Sequence, residues 1–347
     1  MCKYKIRAYA PEELGELKNI WNVLYEGVDM TYFQSYDWYE IMNSMLPSKG
    51  EVVYLMVSDD MQPVLVAPLW ILQRTFKLIN RRGCYFFGRG GYTDYLNFIY
   101  KTFDPGALEA LFIHVKVNYG TDRYFLECMP EHSASYRYIV QTKAVMKSHR
   151  SVCVRLVLPD NVDQYDGMLS KHVRQNLRTA KNRCQKDGIV LTQTFHTETT
   201  DRQLIDSCKR IRETRLGIKT RNDRKRMSFV QNVRNNVERI LKYRFPGYNV
   251  LDVHAKGWLL TVSKDDKTCA FFHGGYDTIR RCLVVMCAGL DPEYARYSPG
   301  LLSMYNHIKS SLDDKRFNSV DFTRGDEKYK YDLGGESKYI YHVQFKI

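Results

Sequence analysis

The 9 cysteines of this 347-residue chain form no CxxC pair and keep no metal-ligand spacing with histidine. That argues against a zinc site and a disulfide framework, and predicts reduced, buried thiols of the cytoplasmic kind. No apolar stretch is long enough to cross a bilayer; the run Val64–Leu72 is short and interrupted by Pro68. The opening residues, MCKYKIRAYAPEELGEL, hold no apolar core of a secretion signal. No low-complexity linker interrupts the chain. These absences predict a cytoplasmic protein with no transmembrane segment and no metal, and leave peripheral membrane contact open.

What the sequence has in quantity is positive charge and tyrosine. The formal net charge is +13, with 26 Tyr and 16 Phe. A basic surface favours an anionic partner, although solvation alone also accounts for such a surface. The 44% hydrophobic content is enough for a full core, and the length suggests two domains.

The order of elements repeats. In the first half, a strand at Lys5–Tyr9 precedes helices at Pro11–Tyr25 and Tyr36–Met45. Strands at Val52–Ser58, Pro63–Leu72 and Cys84–Phe87 follow, then the glycine-rich loop GRGGYTDY. A helix opened by Asp104-Pro105-Gly106 leads to a strand at Arg123–Cys128. In the second half, a strand at Ser151–Leu158 precedes helices at Gln164–Lys186, Thr200–Leu216 and Met227–Lys242. Strands are expected at Asn249–His254, Trp258–Ser263, Thr268–Tyr276 and Arg281–Leu290, the short connections making an antiparallel meander. A helix opened by Ser298-Pro299-Gly300 then leads to strands at Ser319–Phe322 and Tyr339–Lys346. The repeat predicts an α/β (α+β) chain of two tandem domains, 1–148 and 149–347, each a mixed, mostly antiparallel sheet flanked by helices.

Two stretches concentrate the chemistry. In YSPGLLSMYNHI, Ser298 is a favoured helix cap, Pro299 a favoured first helical residue, and Gly300 permits close approach. The free amides of that first turn suit a phosphate, or simply end an ordinary capped helix. At the matching place in the first half, the Asp104 carboxylate would occupy those amides and repel an anion. The other stretch, DFTRGDEKYKYDLGG from Asp321 to Gly335, starts where a right-handed crossover ends a strand parallel to Arg281–Leu290. Ligands of open α/β sheets sit beyond such strand ends.

These two stretches, together with LSKHVRQNLRTAKNRCQKDG at 169–188, resemble the GNAT acyltransferase superfamily. They look like its branch of acetyltransferases associated with cellulose or exopolysaccharide biosynthesis, which is related to the double-GNAT FemAB-type aminoacyltransferases. The resemblance is strong over residues 150–335 and weaker in the first half, through TYFQSYDWY, PVLVAPLW and GGYTDYLNF. It implies two tandem GNAT-like domains, with the first degenerate for cofactor. It also implies transfer of an acetyl or longer acyl group from acyl-CoA to an amine or hydroxyl of a small molecule, saccharide or cell-envelope precursor. The CoA pyrophosphate would lie at Ser298, Pro299, Gly300 and Leu301, although the family's full glycine pattern is missing there. A backbone amide near Met286–Ala288 would polarise the thioester.

Several side chains are candidates for the remaining roles. Asp321 can accept the acceptor's proton or cap the loop. Asp326 can hold a cationic amine or pair with Arg324 or Lys330. Tyr329 can protonate the leaving thiolate or simply pack. His273 can act as a neutral base or sit satisfied in a strand. Arg174, Arg178, Arg324 and Lys330 can bind an anionic substrate or stay solvated, and the basic run Arg215–Phe229 can form a substrate loop. Two other readings stand beside the acyl-CoA enzyme. One is a FemAB-like enzyme fed by aminoacyl-tRNA, for which no coiled-coil arm is evident. The other is a noncatalytic binding module on the same fold, with no nucleic-acid fingerprint to support it.

Overall fold

The computed structural model describes residues 3–76, 79–90, 92–198, 200–226, 249–253 and 257–347. It divides into one unit of Met1–Cys153 with Lys338–Ile347 and a second of Val154–Ser337. Sequence order alone had assigned everything after residue 148 to one domain. In the structure, the final strand joins the sheet of the first unit.

In that first unit, β1 (Tyr4–Tyr9) precedes a 3-10 turn, α1 (Lys18–Tyr25) and α2 (Tyr36–Asn43). The strands β2 (Glu51–Asp59), β3 (Gln62–Phe76) and β4 (Ile79–Phe86) then form an antiparallel meander. The crossover helix α3 (Pro105–Tyr119) leads to β5 (Arg123–Pro130), which runs parallel to β4. A further helix, α4 (Ala134–Thr142), escaped sequence reasoning, and β6 (Ala144–Val157) starts earlier than expected. The last strand, β12 (Glu336–Lys346), pairs antiparallel with β5. Aromatic burial holds this unit together: Trp21 is fully buried and packs against Tyr36, Tyr39 and Tyr54. Each such ring contributes on the order of 2 kcal/mol when removed from water.

The second unit takes the end of β6 and repeats the plan. The long helix expected over Gln164–Lys186 is two helices, α5 (Val162–Met168) and α6 (Lys171–Lys186). Ser170 separates them because its hydroxyl accepts the Val173 amide and so starts a new helix. A strand that was not foreseen, β7 (Thr192–His196), precedes α7 (Arg202–Arg226), so the expected loop from Arg215 is helical as far as Arg226. The expected helix Met227–Lys242 lies outside the described residues. Residues Val250–Val253 form the short helix α8 rather than a strand, and His254 is also undescribed. The strands β8 (Trp258–Lys264), β9 (Lys267–Asp277) and β10 (Cys282–Leu290) form the antiparallel meander. Next come α9 (Pro299–Asp314), β11 (Ser319–Arg324) parallel to β10, and the short α10 (Lys328–Asp332). Helix α9 packs on β8, β9 and β10, and α7 packs on β9 and β10. Among the described residues, no helix is long and apolar enough to cross a membrane.

One core residue makes this unit sensitive to acid. His307 is buried and stacked on Phe195 at 4.5 Å. Burial, aided by the Arg316 charge, lowers its pKa from 6.5 to about 4. The unfolded chain therefore takes up this proton first, so stability is lost as pH falls from about 6.5 towards 4, by up to about 3 kcal/mol. Denaturant midpoints measured at pH 7 and pH 4.5 should differ less for His307→Phe than for the wild type. An equal pH dependence in the two proteins would show that another group controls it.

Candidate active site

The site begins where two parallel strands part. β10 and β11 pair only at Cys282–Ser319, Leu283–Val320 and Val284–Asp321. Immediately beyond, the register of β10 on β9 shifts between Val285 and Cys287, making Met286 the residue at a bulge. A bulge re-aims backbone and ends pairing. Gly274 is needed opposite it, because a Cβ there would collide with the Val284 carbonyl at 1.8 Å.

Thr323 fixes the other edge. Its φ of 55° is strained for a β-branched residue. Two hydrogen bonds hold it there: its amide donates to Asp321 Oδ1 at 2.8 Å, and its hydroxyl donates to the Val285 carbonyl at 2.8 Å. Between the two strands lies a cleft of about 150 Å³. Its walls include Met286, Cys287, Ala288, Thr323, Arg324 and Tyr329, with Arg212 reaching in from α7.

The loop after β11 is wound around a buried ammonium. Lys330 is 2% exposed. Its Nζ donates to the carbonyls of Thr323, Arg324 and Gly325 at 3.3, 3.0 and 3.0 Å and pairs with Glu327 at 3.0 Å. The expectation that Lys330 reaches a substrate gives way to an internal role, because its donors are committed to the loop itself. The ion pair foreseen for Asp326 goes to Glu327 instead. Asp326 is exposed and makes no ion pair among the described residues.

The helix start differs from its expected form. Ser298 takes a left-handed conformation, φ 48°, and its side chain makes no capping hydrogen bond. The first-turn donors are therefore not filled by that hydroxyl. A Cβ on Gly300 would only touch the Phe272 ring at 3.6 Å, so the position itself is roomy. Phe272 in turn contacts Tyr329 of the cleft wall, and Leu301 packs against the core beneath. In the first unit the matching donors are occupied: Asp104 accepts the Gly106 amide at 2.9 Å and the Ala107 amide at 3.3 Å.

Of the expected site residues, the structure gathers Met286, Ala288, Arg324, Tyr329 and Lys330 at the cleft. Ser298, Pro299 and Gly300 lie outside the cleft lining at the start of α9, where Gly300 faces Phe272, the ring that contacts Tyr329. Asp321 is buried beneath the turn and holds Thr323, outside the cleft lining. His273 is fully buried opposite Cys287 and also lies outside that lining. Arg174 donates to the Asp166 carbonyl at 2.9 Å, and Arg178 is exposed on α6. Sequence reasoning missed Arg212, although a signal existed: it follows Ile205 and Cys208 at the inward-facing spacing of α7. Cys287 lines the cleft in a setting that disfavours its thiolate. Burial pushes its thiol up to about 12, against the opposing pull of the Arg212 guanidinium beside it.

Residues 171–331 match the model of the acetyltransferase (GNAT) domain family. No curated protein matches the chain. Among solved structures, FemX is similar over 98% of this chain and 97% of its own, with a TM-score of 0.59 at 10% identity. L-PGS from Bacillus licheniformis is similar over 97% and 91%, with a TM-score of 0.55 at 10% identity. A tandem GNAT protein from the clavulanic acid biosynthesis pathway is similar over 99% and 98%, with a TM-score of 0.51 at 10% identity. At these identities the likeness is one of fold: a tandem GNAT fold of mixed sheets flanked by helices.

The buried clip has a measurable weight. Lys330→Met should destabilise the protein by about 2–3 kcal/mol in urea unfolding, since it strands three carbonyls and a carboxylate. A loss below about 0.5 kcal/mol would show that the loop holds its shape without the ammonium.

Proposed function

We infer that the second unit is an acyltransferase that takes its acyl group from acetyl-CoA or another acyl-CoA and passes it to an amine or hydroxyl. The observation that carries this reading is the cleft between parting parallel strands, beside a helix start whose donors Ser298 leaves open. The GNAT family match over the same residues supports it. The Gly300 and Leu301 amides of the first turn would receive the pyrophosphate, helped by the helix dipole, since Pro299 has no N–H and the Ser298 amide donates to the Ala295 carbonyl. The thioester would enter the splay, with a backbone amide near Met286–Ala288 facing its carbonyl oxygen. The acceptor's nitrogen or oxygen attacks the carbonyl carbon, the carbon–sulfur bond breaks, and the CoA thiolate leaves. Tyr329, on the cleft wall, would protonate that thiolate. Asp321 acts through Thr323 by holding the wall in shape. The acceptor's proton goes to solvent or to a base on the substrate side. An acceptor from saccharide or envelope-precursor metabolism fits the sequence resemblance.

A second reading is a FemAB-like aminoacyltransferase supplied by aminoacyl-tRNA. One observation favours it: α6 carries Lys171, Arg174, Arg178, Lys181, Arg183 and Lys186 and no acidic residue. A tRNA donor would bind with a steep salt dependence, whereas an acyl-CoA donor would not.

Calorimetric titration of acetyl-CoA and free CoA decides between them. Saturable binding is expected in the wild type, weakened at least tenfold by Gly300→Glu, whose carboxylate would occupy the anion site without a core clash. Wild-type protein that ignores both CoA species, yet binds tRNA in low salt, would move the assignment to the second reading.

A further inference from the structure

We propose that the outward face of α6 holds the protein against an anionic lipid surface. This goes beyond the choice of acyl donor and does not depend on it.

The charge of α6 is not consumed by the protein. Val173, Leu177 and Ala180 are its buried stripe. Lys171, Arg178 and Lys186 follow one another at spacings of seven and eight residues, which places them together on the opposite side. The helix carries no acidic residue. Arg174 turns back towards Asp166: it donates to that carbonyl at 2.9 Å, and its charge reaches that carboxylate. Lys171, Arg178, Lys181, Arg183 and Lys186 are exposed and make no ion pair among the described residues. The acids nearest in sequence have other partners. Asp166 takes Tyr305 and Lys309 at 2.7 and 3.0 Å, and Asp187 takes Tyr297 and Arg296, both at 2.9 Å. Exposed lysines elsewhere keep a carboxylate, as Lys3 does with Asp59, Lys101 with Glu26 and Lys267 with Glu293.

The residues flanking the helix choose the kind of anion. Met168, just before α6, is 51% exposed, and Val190, just after it, is 74% exposed. The helix rises over about 24 Å, so the chain offers an unburied apolar side chain at either end of a basic row. A lipid surface answers both features. Headgroup phosphates attract the lysines and arginines, and the apolar ends enter the boundary of the acyl layer. A dissolved polyanion such as tRNA would answer the charge and leave Met168 and Val190 in water.

Co-sedimentation of the whole chain with vesicles tests this. Vesicles of phosphatidylcholine containing about one-third phosphatidylglycerol are compared with pure phosphatidylcholine, near physiological salt and at high salt. The wild type should bind the phosphatidylglycerol vesicles at least tenfold more tightly, and high salt should remove the difference. The triple variant Lys171→Gln, Arg178→Gln, Lys186→Gln should lose at least tenfold. A charge-matched control, Lys3→Gln, Lys101→Gln, Lys267→Gln, should stay within about twofold of the wild type. The pair Met168→Ser, Val190→Ser should weaken vesicle binding about threefold or more. Equal binding to the two vesicle types, or equal losses in the two triple variants, would overturn the proposal. So would indifference to the two serines, since the apolar ends are what select lipid. If circular dichroism shows the α6 triple variant unfolded, Arg178→Gln alone must weaken vesicle binding, and an unchanged affinity there overturns the proposal instead. Retention of tRNA but not of vesicles would hand the face to the aminoacyl-tRNA reading and sink the lipid claim. Titration of acetyl-CoA into the same wild-type protein reads the donor separately. CoA binding without vesicle binding overturns the lipid face and leaves the acyl-CoA reading standing, and the reverse result keeps the lipid face alone.

Discussion

The Lys330 ammonium is the point around which the cleft wall is wound. An ammonium buried to this degree must have its three protons accepted, and here the acceptors are successive carbonyls of one loop together with Glu327. Turning three carbonyls inward forces the backbone through an unusual path, with positive φ at Thr323 and Gly325. Gly325 meets that demand without a Cβ. Thr323 meets it only because its amide and hydroxyl are both bonded, to Asp321 and Val285. The charged loop at the end of β11 is therefore not a solvated surface turn. It is a rigid wall whose charge is largely consumed internally.

The wall matters because of what β10 does opposite it. Parallel pairing ends at Val284–Asp321, and the Met286 bulge turns the strand away within two residues. A strand edge that is neither paired nor covered by its neighbour offers backbone donors to a ligand. The Thr323 hydroxyl caps one carbonyl at the fork and keeps the two strands from closing. The site is thus made from a pairing that stops rather than from a conspicuous set of side chains. A thioester gains more from fixed backbone dipoles and position than from a strong base, which suits this arrangement.

The two units show how one plan carries different chemistry. Each has a meander, a crossover helix and a parallel strand, and each parallel strand ends near a non-glycine residue of positive φ: Cys128 at 60° in the first and Thr323 at 55° in the second. The helix starts differ in charge. Asp104 fills the amides of α3 with its own carboxylate and also accepts the Tyr4 hydroxyl, whose ring would collide with a Cβ on Gly106. Ser298 leaves the amides of α9 without a side-chain partner. A one-residue difference in cap chemistry separates a helix sealed by its own carboxylate from one whose cap side chain leaves the first turn unfilled.

The sequence alone determined the repeated order of elements, the antiparallel meander, the parallel pairing of β10 with β11 and the position of the glycine-opened helix. These follow from local periodicity, short turns and crossover handedness, which act over a few residues. It misread α5 and α6 as one helix because the break at Ser170 rests on a single hydroxyl within a favourable pattern. It passed over α4 and β7, which are short and weakly apolar. It took Asn249–His254 for a strand, because the three apolar residues Val250, Leu251 and Val253 are too few to distinguish the two periods. The fate of each charge was decided only by tertiary structure. Lys330 is clipped inside its own loop, Asp321 sits under a turn, and Arg212 is brought from a helix more than a hundred residues away in sequence. Burial and distance set the role of an ionisable group, and neither is written in the residues beside it.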